Sequence, residues 1–152
     1  IVQVGTLSKT LGALGGFVAG PTALVDLLVN RARTYIFTTA PSPGDSAAAQ
    51  AAIEILQSGE GAALRARLRS SVGRIRPNHP SPIIPIVLGD EAAALRASQQ
   101  LLERGLLVPA IRPPTVPVGS SRLRVALSAA HTDEQIEALL DALNTLETDG
   151  GR

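Results

Sequence analysis

Residues 5–16 read Gly-Thr-Leu-Ser-Lys-Thr-Leu-Gly-Ala-Leu-Gly-Gly, and this stretch holds the side chains best suited to chemistry. Lys9 stands in a glycine- and hydroxyl-rich turn between two apolar runs, Ile1 to Val4 and Phe17 to Ala19. A lysine so placed can be buried against neighbouring backbone, where loss of water penalises the ammonium and favours the nucleophilic amine. A neutral amine condenses with an aldehyde. Thr6, Ser8 and Thr10, with the flanking glycine amides, offer hydrogen bonds to a phosphate held close by. On spacing alone, a lysine in a Gly-rich turn is more often a solvated loop residue, because lysine is seldom buried. A nucleotide P-loop does not fit: it needs glycine directly before the lysine and again five residues earlier, where this chain has Ser8 and Gln3.

The elements that must position this turn follow from hydrophobic period and breakers. Ile1 to Val4 reads as a short interior strand ended by Gly5, and Gly15 to Gly20 as its sheet partner. Pro21 opens a helix whose stripe of Leu24, Val25, Leu27, Leu28 and Ala32 continues to Thr34. Tyr35 to Ala40 is β-branched and aromatic and is expected to be extended, with Pro41 and Pro43 preventing helix. By this reading alone Thr38 and Thr39 are strand filler. A helix is expected from Gly44 to about Ser58, a break at Gly59-Glu60-Gly61, and a second helix from Ala62 to Ile75. The arginines of that second helix (Arg65, Arg67, Arg69, Arg74) read as a solvated face, and the junction near Gly59 as a domain boundary.

Pro77 to Pro82 reads as an irregular link, with His79 a surface loop residue. Ile83 to Leu88 is a strand in which Pro85 requires an edge or a bulge. Asp90 caps a helix from Glu91 to Arg104 that Gly105 ends, and Leu106 to Ile111 reads as another strand. A proline-rich loop holding Pro113, Pro114 and Pro117 leads to a strand from Arg122 to Ser128. Alternation points Arg122 and Arg124 to one face, so spacing cannot choose between them as the binder of an anion, and an internal salt bridge is the plainer reading of either. Thr132 with Gln135 makes a capping box for a last helix carrying Ile136, Leu139, Leu140 and Leu143. His131, just before that cap, is expected to be structural, and Thr148 to Arg152 to be a frayed tail. Helices alternating with short strands indicate an α/β layer.

Composition narrows the function classes. The 152 residues suffice for one ordinary domain, and 14 Lys+Arg against 13 Asp+Glu give no electrostatic argument for nucleic acid or a membrane surface. Aromatics are 2% and tryptophan is absent, so no stacking platform for single strands is visible. Without cysteine there is no disulfide, thiolate nucleophile or Cys-ligated metal. His79 and His131 are far apart and lack ligand-spaced carboxylates, so no metal site is expected. The opening apolar run is too short for a signal peptide or a membrane span, which makes a cytoplasmic location the expectation.

Gly-Thr-Leu-Ser-Lys-Thr-Leu-Gly followed by Gly-Gly-Phe resembles the cofactor-lysine segment of the α-oxoamine synthases, fold-type I enzymes that depend on pyridoxal 5'-phosphate (PLP). The later stretch Ala110-Ile-Arg-Pro-Pro-Thr-Val-Pro-Val-Gly-Ser-Ser-Arg-Leu-Arg124 is most similar to the 8-amino-7-oxononanoate synthase branch, which condenses L-alanine with a pimeloyl thioester in biotin biosynthesis. The similarity runs in unbroken order from about Val2 to the last helix.

The resemblance implies an α/β fold in which residues 1–59 end a PLP-binding large domain and residues 60–152 form a small C-terminal α/β domain. It makes Lys9 the residue that binds PLP and exchanges the proton at the amino acid's Cα. Thr6 matches the threonine that meets the cofactor phosphate in the same subunit. Thr38 and Thr39 match a pair that reaches the phosphate of the partner subunit's cofactor, implying a homodimer with shared active sites. Thr115 matches a substrate contact, and Arg124, rather than Arg122, the clamp on the substrate carboxylate; Arg112 is a further candidate for an acidic or carrier part of the substrate. The implied partners are L-alanine and a pimeloyl thioester of coenzyme A or acyl carrier protein, with no nucleic acid and no membrane. The chain is expected to be the C-terminal part of a longer enzyme, inactive by itself and binding PLP weakly or not at all. The alternatives are another α-oxoamine synthase (2-amino-3-ketobutyrate ligase, 5-aminolevulinate synthase or serine palmitoyltransferase) and a non-catalytic interaction module.

Overall fold

The computed structural model describes residues 1–146. The expected tail from Thr148 to Arg152 lies outside the described residues. The chain divides into two compact units, residues 1–62 and the part from Ala63 onward.

The first unit begins with an antiparallel ribbon of β1 (Gln3–Thr6) and β2 (Gly16–Ala19), paired from Gln3↔Ala19 to Thr6↔Gly16. The expected pairing is present, but the expected burial is not: Val4 is 77% exposed. A ribbon of two strands has no sheet neighbour on either side, so its apolar side chains stay accessible. Residues 7–15 close the ribbon through Leu7 N–H to Gly15 O (2.9 Å) and Ala13 N–H to Leu7 O (3.0 Å). Gly12 (φ 61°) and Gly15 (φ 126°) take backbone conformations that side chains disfavour, which is why the loop needs glycine there.

α1 (Thr22–Arg31) follows Pro21 as expected. Tyr35 and Ile36, expected to be extended, instead belong to the short helix α2 (Arg33–Ile36). The N–H groups of Tyr35 and Ile36 bond to Ala32 O at 3.0 Å, and Phe37 N–H to Arg33 O at 3.0 Å. With no described strand beside it, a β-branched run gains nothing from extension, and a helical turn satisfies its donors locally. α3 (Pro43–Gln57) uses Pro43 in its first turn, where the missing N–H costs no hydrogen bond, so this proline starts a helix instead of preventing one. α4 (Gly59–Ile75) begins one residue after Ser58, which caps α3, so Gly59-Glu60-Gly61 is its first turn and the break falls at Ser58. A Cβ on Gly61 would lie 2.8 Å from the Leu56 Cα.

The second unit contains β3 (Ile83–Gly89), α5 (Glu91–Glu103), β4 (Ala110–Ile111), β5 (Ser121–Ala126) and α6 (Asp133–Asn144). Its sheet has the order β3-β5-β4 with both pairings antiparallel. Pro85 lies in the edge strand β3, as the missing N–H of proline demands, and β3 also carries a bulge between Val87 and Gly89. The strand expected over residues 106–111 shrinks to two residues. Val108 O is taken by the Ser98 hydroxyl (2.7 Å), and Pro109 has no N–H to give a ladder.

Alternation in β5 is clear: Ser121, Leu123 and Val125 are buried, while Arg124 and Ala126 are exposed. Leu123 and Val125 pack with Val72, Ala97, Leu101 and Leu139, so α4, α5 and α6 share one core against this face. Burying a leucine such as Leu123 stabilises by about 1.5–3 kcal/mol. The capping box forms, with Thr132 Oγ1 accepting from Gln135 N–H (3.3 Å) and Gln135 Oε1 from Thr132 N–H (2.9 Å). The arginines of α4 are not a uniformly solvated face: Arg74 bonds Asp133 at 2.8 Å and also Glu137, and Arg67 donates to His131 O at 2.9 Å.

Candidate active site

The hydroxyls of the lysine loop gather at the end of β1. Thr6 Oγ1 lies 2.8 Å from Ser8 Oγ and accepts the Ser8 N–H at 3.2 Å, a local turn that fixes both side chains. Lys9 Nζ reaches Ser8 Oγ at 3.5 Å. Lys9 is exposed, the solvated-loop arrangement that spacing alone favoured, and is not buried against neighbouring backbone. Among the described residues the N–H groups of Lys9, Thr10 and Leu11 donate to no carbonyl. A primary amine, two fixed hydroxyls and free backbone donors therefore occupy one loop. That donor set suits a carbonyl compound attached to the amine with an anion close by.

Asp45, which the sequence reading passed over, braces this loop. Its Oδ1 accepts the Leu14 N–H at 3.2 Å, and its Oδ2 accepts the Ser42 hydroxyl at 2.6 Å. Ser42 Oγ in turn accepts the Asp45 N–H at 3.0 Å, a reciprocal cap on α3. The Ser42 hydroxyl, and secondarily the Leu14 N–H, hold the Asp45 carboxyl below its ordinary range. The signal was present: a serine three residues ahead of an acid at a helix start.

Thr38 and Thr39 lie just beyond α2, exposed, and no hydrogen bond joins them to any described residue. Thr115 and Arg124 belong to the second unit. Thr115 N–H closes a turn onto Arg112 O at 3.0 Å, and its side chain is exposed. Arg112 stands 4.0 Å from Glu91, about half exposed. Arg122 and Arg124 share a face, but they differ. Arg122 is half-buried and spends its Nε–H on Ser120 O (2.9 Å), whereas the Arg124 guanidinium has no partner among the described residues. Arg124 is exposed, and no acid among the described residues forms the internal salt bridge that was the plainer reading. His79 Nε2 lies 2.9 Å from Ile83 O, and His131 Nδ1 accepts the Ser128 N–H at 3.1 Å; both rings tie loops together.

Among the described residues no helix is long and apolar enough to cross a membrane. The profile of the aminotransferase class I and II family matches residues 1–143. An 8-amino-7-oxononanoate synthase of Thioalkalivibrio sulfidiphilus is 49% identical over 94% of this chain and 38% of its own length. One of Anaeromyxobacter dehalogenans is 50% identical over 93% of this chain and 38% of its own length. The chain thus spans about two fifths of the curated relatives it matches. Among solved structures, Sphingomonas wittichii serine palmitoyltransferase superposes with a TM-score of 0.83 at 33% identity, covering 95% of this chain and 39% of that one. The 8-amino-7-oxononanoate synthase of Francisella tularensis gives 0.76 at 28% identity, over 94% and 44%. The α/β fold and the resemblance read from the lysine segment agree with these likenesses, and the chain belongs to the aminotransferase class I and II family.

Proposed function

We propose that this chain forms the C-terminal part of a cytoplasmic PLP-dependent acyltransferase that joins L-alanine to a pimeloyl thioester and releases CO2, giving 8-amino-7-oxononanoate. The observation that carries the reading is the Lys9 amine beside the linked hydroxyls of Thr6 and Ser8, in a chain about half identical to synthases of that name. The donor set fits the cofactor: an accessible amine for its aldehyde, and hydroxyl and amide donors for its phosphate.

PLP, when bound, supplies an electron sink for charge left at the amino acid's Cα. Lys9 would hold the cofactor through Nζ, and the same amine would take the Cα proton of alanine and later return one. Thr6 donates to the phosphate within the subunit. Thr38 and Thr39 donate to the phosphate in the partner subunit, which makes the enzyme a homodimer with shared sites. Arg124 forks onto the alanine carboxylate, and Thr115 contacts substrate from the proline loop. In the net reaction a bond forms from alanine Cα to the acyl carbonyl, the carrier thiol leaves, and the carboxylate departs as CO2. Residues 1–59 then belong to the large domain and residues 60–152 to the small one.

The likeness to serine palmitoyltransferase supports a second reading, the same chemistry with a different amino acid. Both are tested by borohydride reduction of the intact protein with PLP, followed by peptide mapping and then turnover with alanine, glycine or serine. A phosphopyridoxyl group on Lys9 and turnover of alanine are expected. Turnover of serine or glycine alone moves the assignment to the second reading, and an unmodified Lys9 removes both.

A further inference from the structure

The two arginine rows of α4 have different fates. Arg67 and Arg74 face α6 and the segment before it, where Asp133, Glu137 and the His131 carbonyl engage them. At about 100° per residue, Arg65 and Arg69 lie roughly half a turn away, on the opposite side of the helix. They line a cleft of about 340 Å³ together with Asn78, His79 and Ser81, over an apolar floor that includes Leu68 and Val72. No acidic residue lines it. The Arg69 guanidinium has no partner among the described residues. The far wall is held in place by its own bonds: His79 Nε2 with Ile83 O at 2.9 Å, Ile83 N–H to Ser81 Oγ at 3.1 Å, and His79 N–H to Arg76 O at 3.3 Å. A cationic cleft with a shaped wall and an apolar floor favours a ligand that joins an anion to an apolar body, and a guanidinium favours phosphate oxygens.

We propose that this cleft binds the phosphate-bearing arm of the acyl-thioester carrier, with Arg69 as its principal phosphate contact. The assignment of the ligand rests on the function proposed above. A pantetheine arm is common to coenzyme A and acyl carrier protein; each joins it to a phosphate, so one chemistry covers both sources. Free coenzyme A and holo carrier protein, tested separately, distinguish them.

The test uses the intact protein, with calorimetric binding of free coenzyme A and holo carrier protein and steady-state KM for both thioesters. Arg69→Ala is expected to weaken binding of at least one carrier and raise the KM of its thioester about tenfold, as for the loss of one charge-assisted hydrogen bond. The KM for alanine and PLP loading on Lys9 stay unchanged. With a pimeloyl-pantetheine substrate lacking phosphate, wild type and Arg69→Ala are expected to behave alike, a result that mere damage to the helix would not give. Arg67→Gln, on the other face, serves as the charge control. Unchanged carrier binding in Arg69→Ala, or equal weakening in Arg67→Gln, overturns the proposal while leaving the function above intact. If Lys9 takes no PLP but coenzyme A still binds in an Arg69-dependent way, the cleft stands and the enzyme reading falls.

Discussion

Asp45, in the first turn of α3, accepts the Leu14 N–H at 3.2 Å and so fastens that helix to the loop carrying Lys9. Because the Ser42 hydroxyl and the Leu14 N–H hold this carboxyl below its ordinary range, its contribution to stability is complete above the unfolded value, about 4. It is lost as pH falls through the lower folded value. The stability difference between wild type and Asp45→Asn is therefore expected to be largest at neutral pH and to shrink below about pH 4. Denaturant melts at pH 3 and pH 7 check it; a difference that grows on acidification contradicts the linkage.

Lys9→Ala is expected to lower kcat by at least about 10³-fold in the intact enzyme, because binding of the cofactor and proton transfer at Cα are lost together. Its thermal midpoint without PLP should match wild type, since the Lys9 side chain is exposed and, among the described residues, bonds only to Ser8 Oγ at 3.5 Å. Residual activity within tenfold of wild type refutes the assignment.

Arg124→Ala is expected to reduce kcat/KM for alanine about 10- to 100-fold, the loss of a charge-assisted carboxylate contact. Arg124→Lys should recover only part, because an ammonium cannot reproduce the planar fork. Arg122→Ala should change kcat/KM by less than about threefold, its Nε–H already being spent on Ser120 O. The opposite ranking assigns the clamp to Arg122.

Stability of the second unit should follow burial more than charge. Leu123 is 0% exposed in the shared core, and Leu123→Ala is expected to cost about 2–5 kcal/mol by denaturant unfolding. Arg74→Ala breaks the links to Asp133 and Glu137, but both acids are well exposed, so about 0.2–1 kcal/mol is expected, and less at high salt.

Local grammar was read directly from the residues: the Gly-bounded ribbon around Lys9, the capping pair Thr132 and Gln135, and Pro85 on an edge strand. Each depends on neighbours a few positions away, or on a property of one residue that any surroundings must respect. The misread segments depended on distant neighbours. Tyr35 and Ile36 turned helical because no described strand lies beside them, and the strand expected over residues 106–111 shortened because Ser98 takes the Val108 carbonyl. Arg67 and Arg74 looked solvated until groups about sixty positions away in sequence came alongside: Asp133 and Glu137 of α6 for Arg74, and the His131 carbonyl for Arg67.

The same division holds for the candidate site. By itself the sequence determined the amine, its hydroxyl neighbours and the family, because order and spacing of side chains are covalent facts. Only the tertiary structure decided that Asp45 braces the lysine loop, that Arg122 is engaged while the Arg124 guanidinium has no partner among the described residues, and that Arg67 and Arg74 meet α6 and the segment before it while Arg65 and Arg69 line a cleft without acids. Those distinctions turn on which polar groups meet across space, and alternation or helical period alone assigns a residue a face but not a partner.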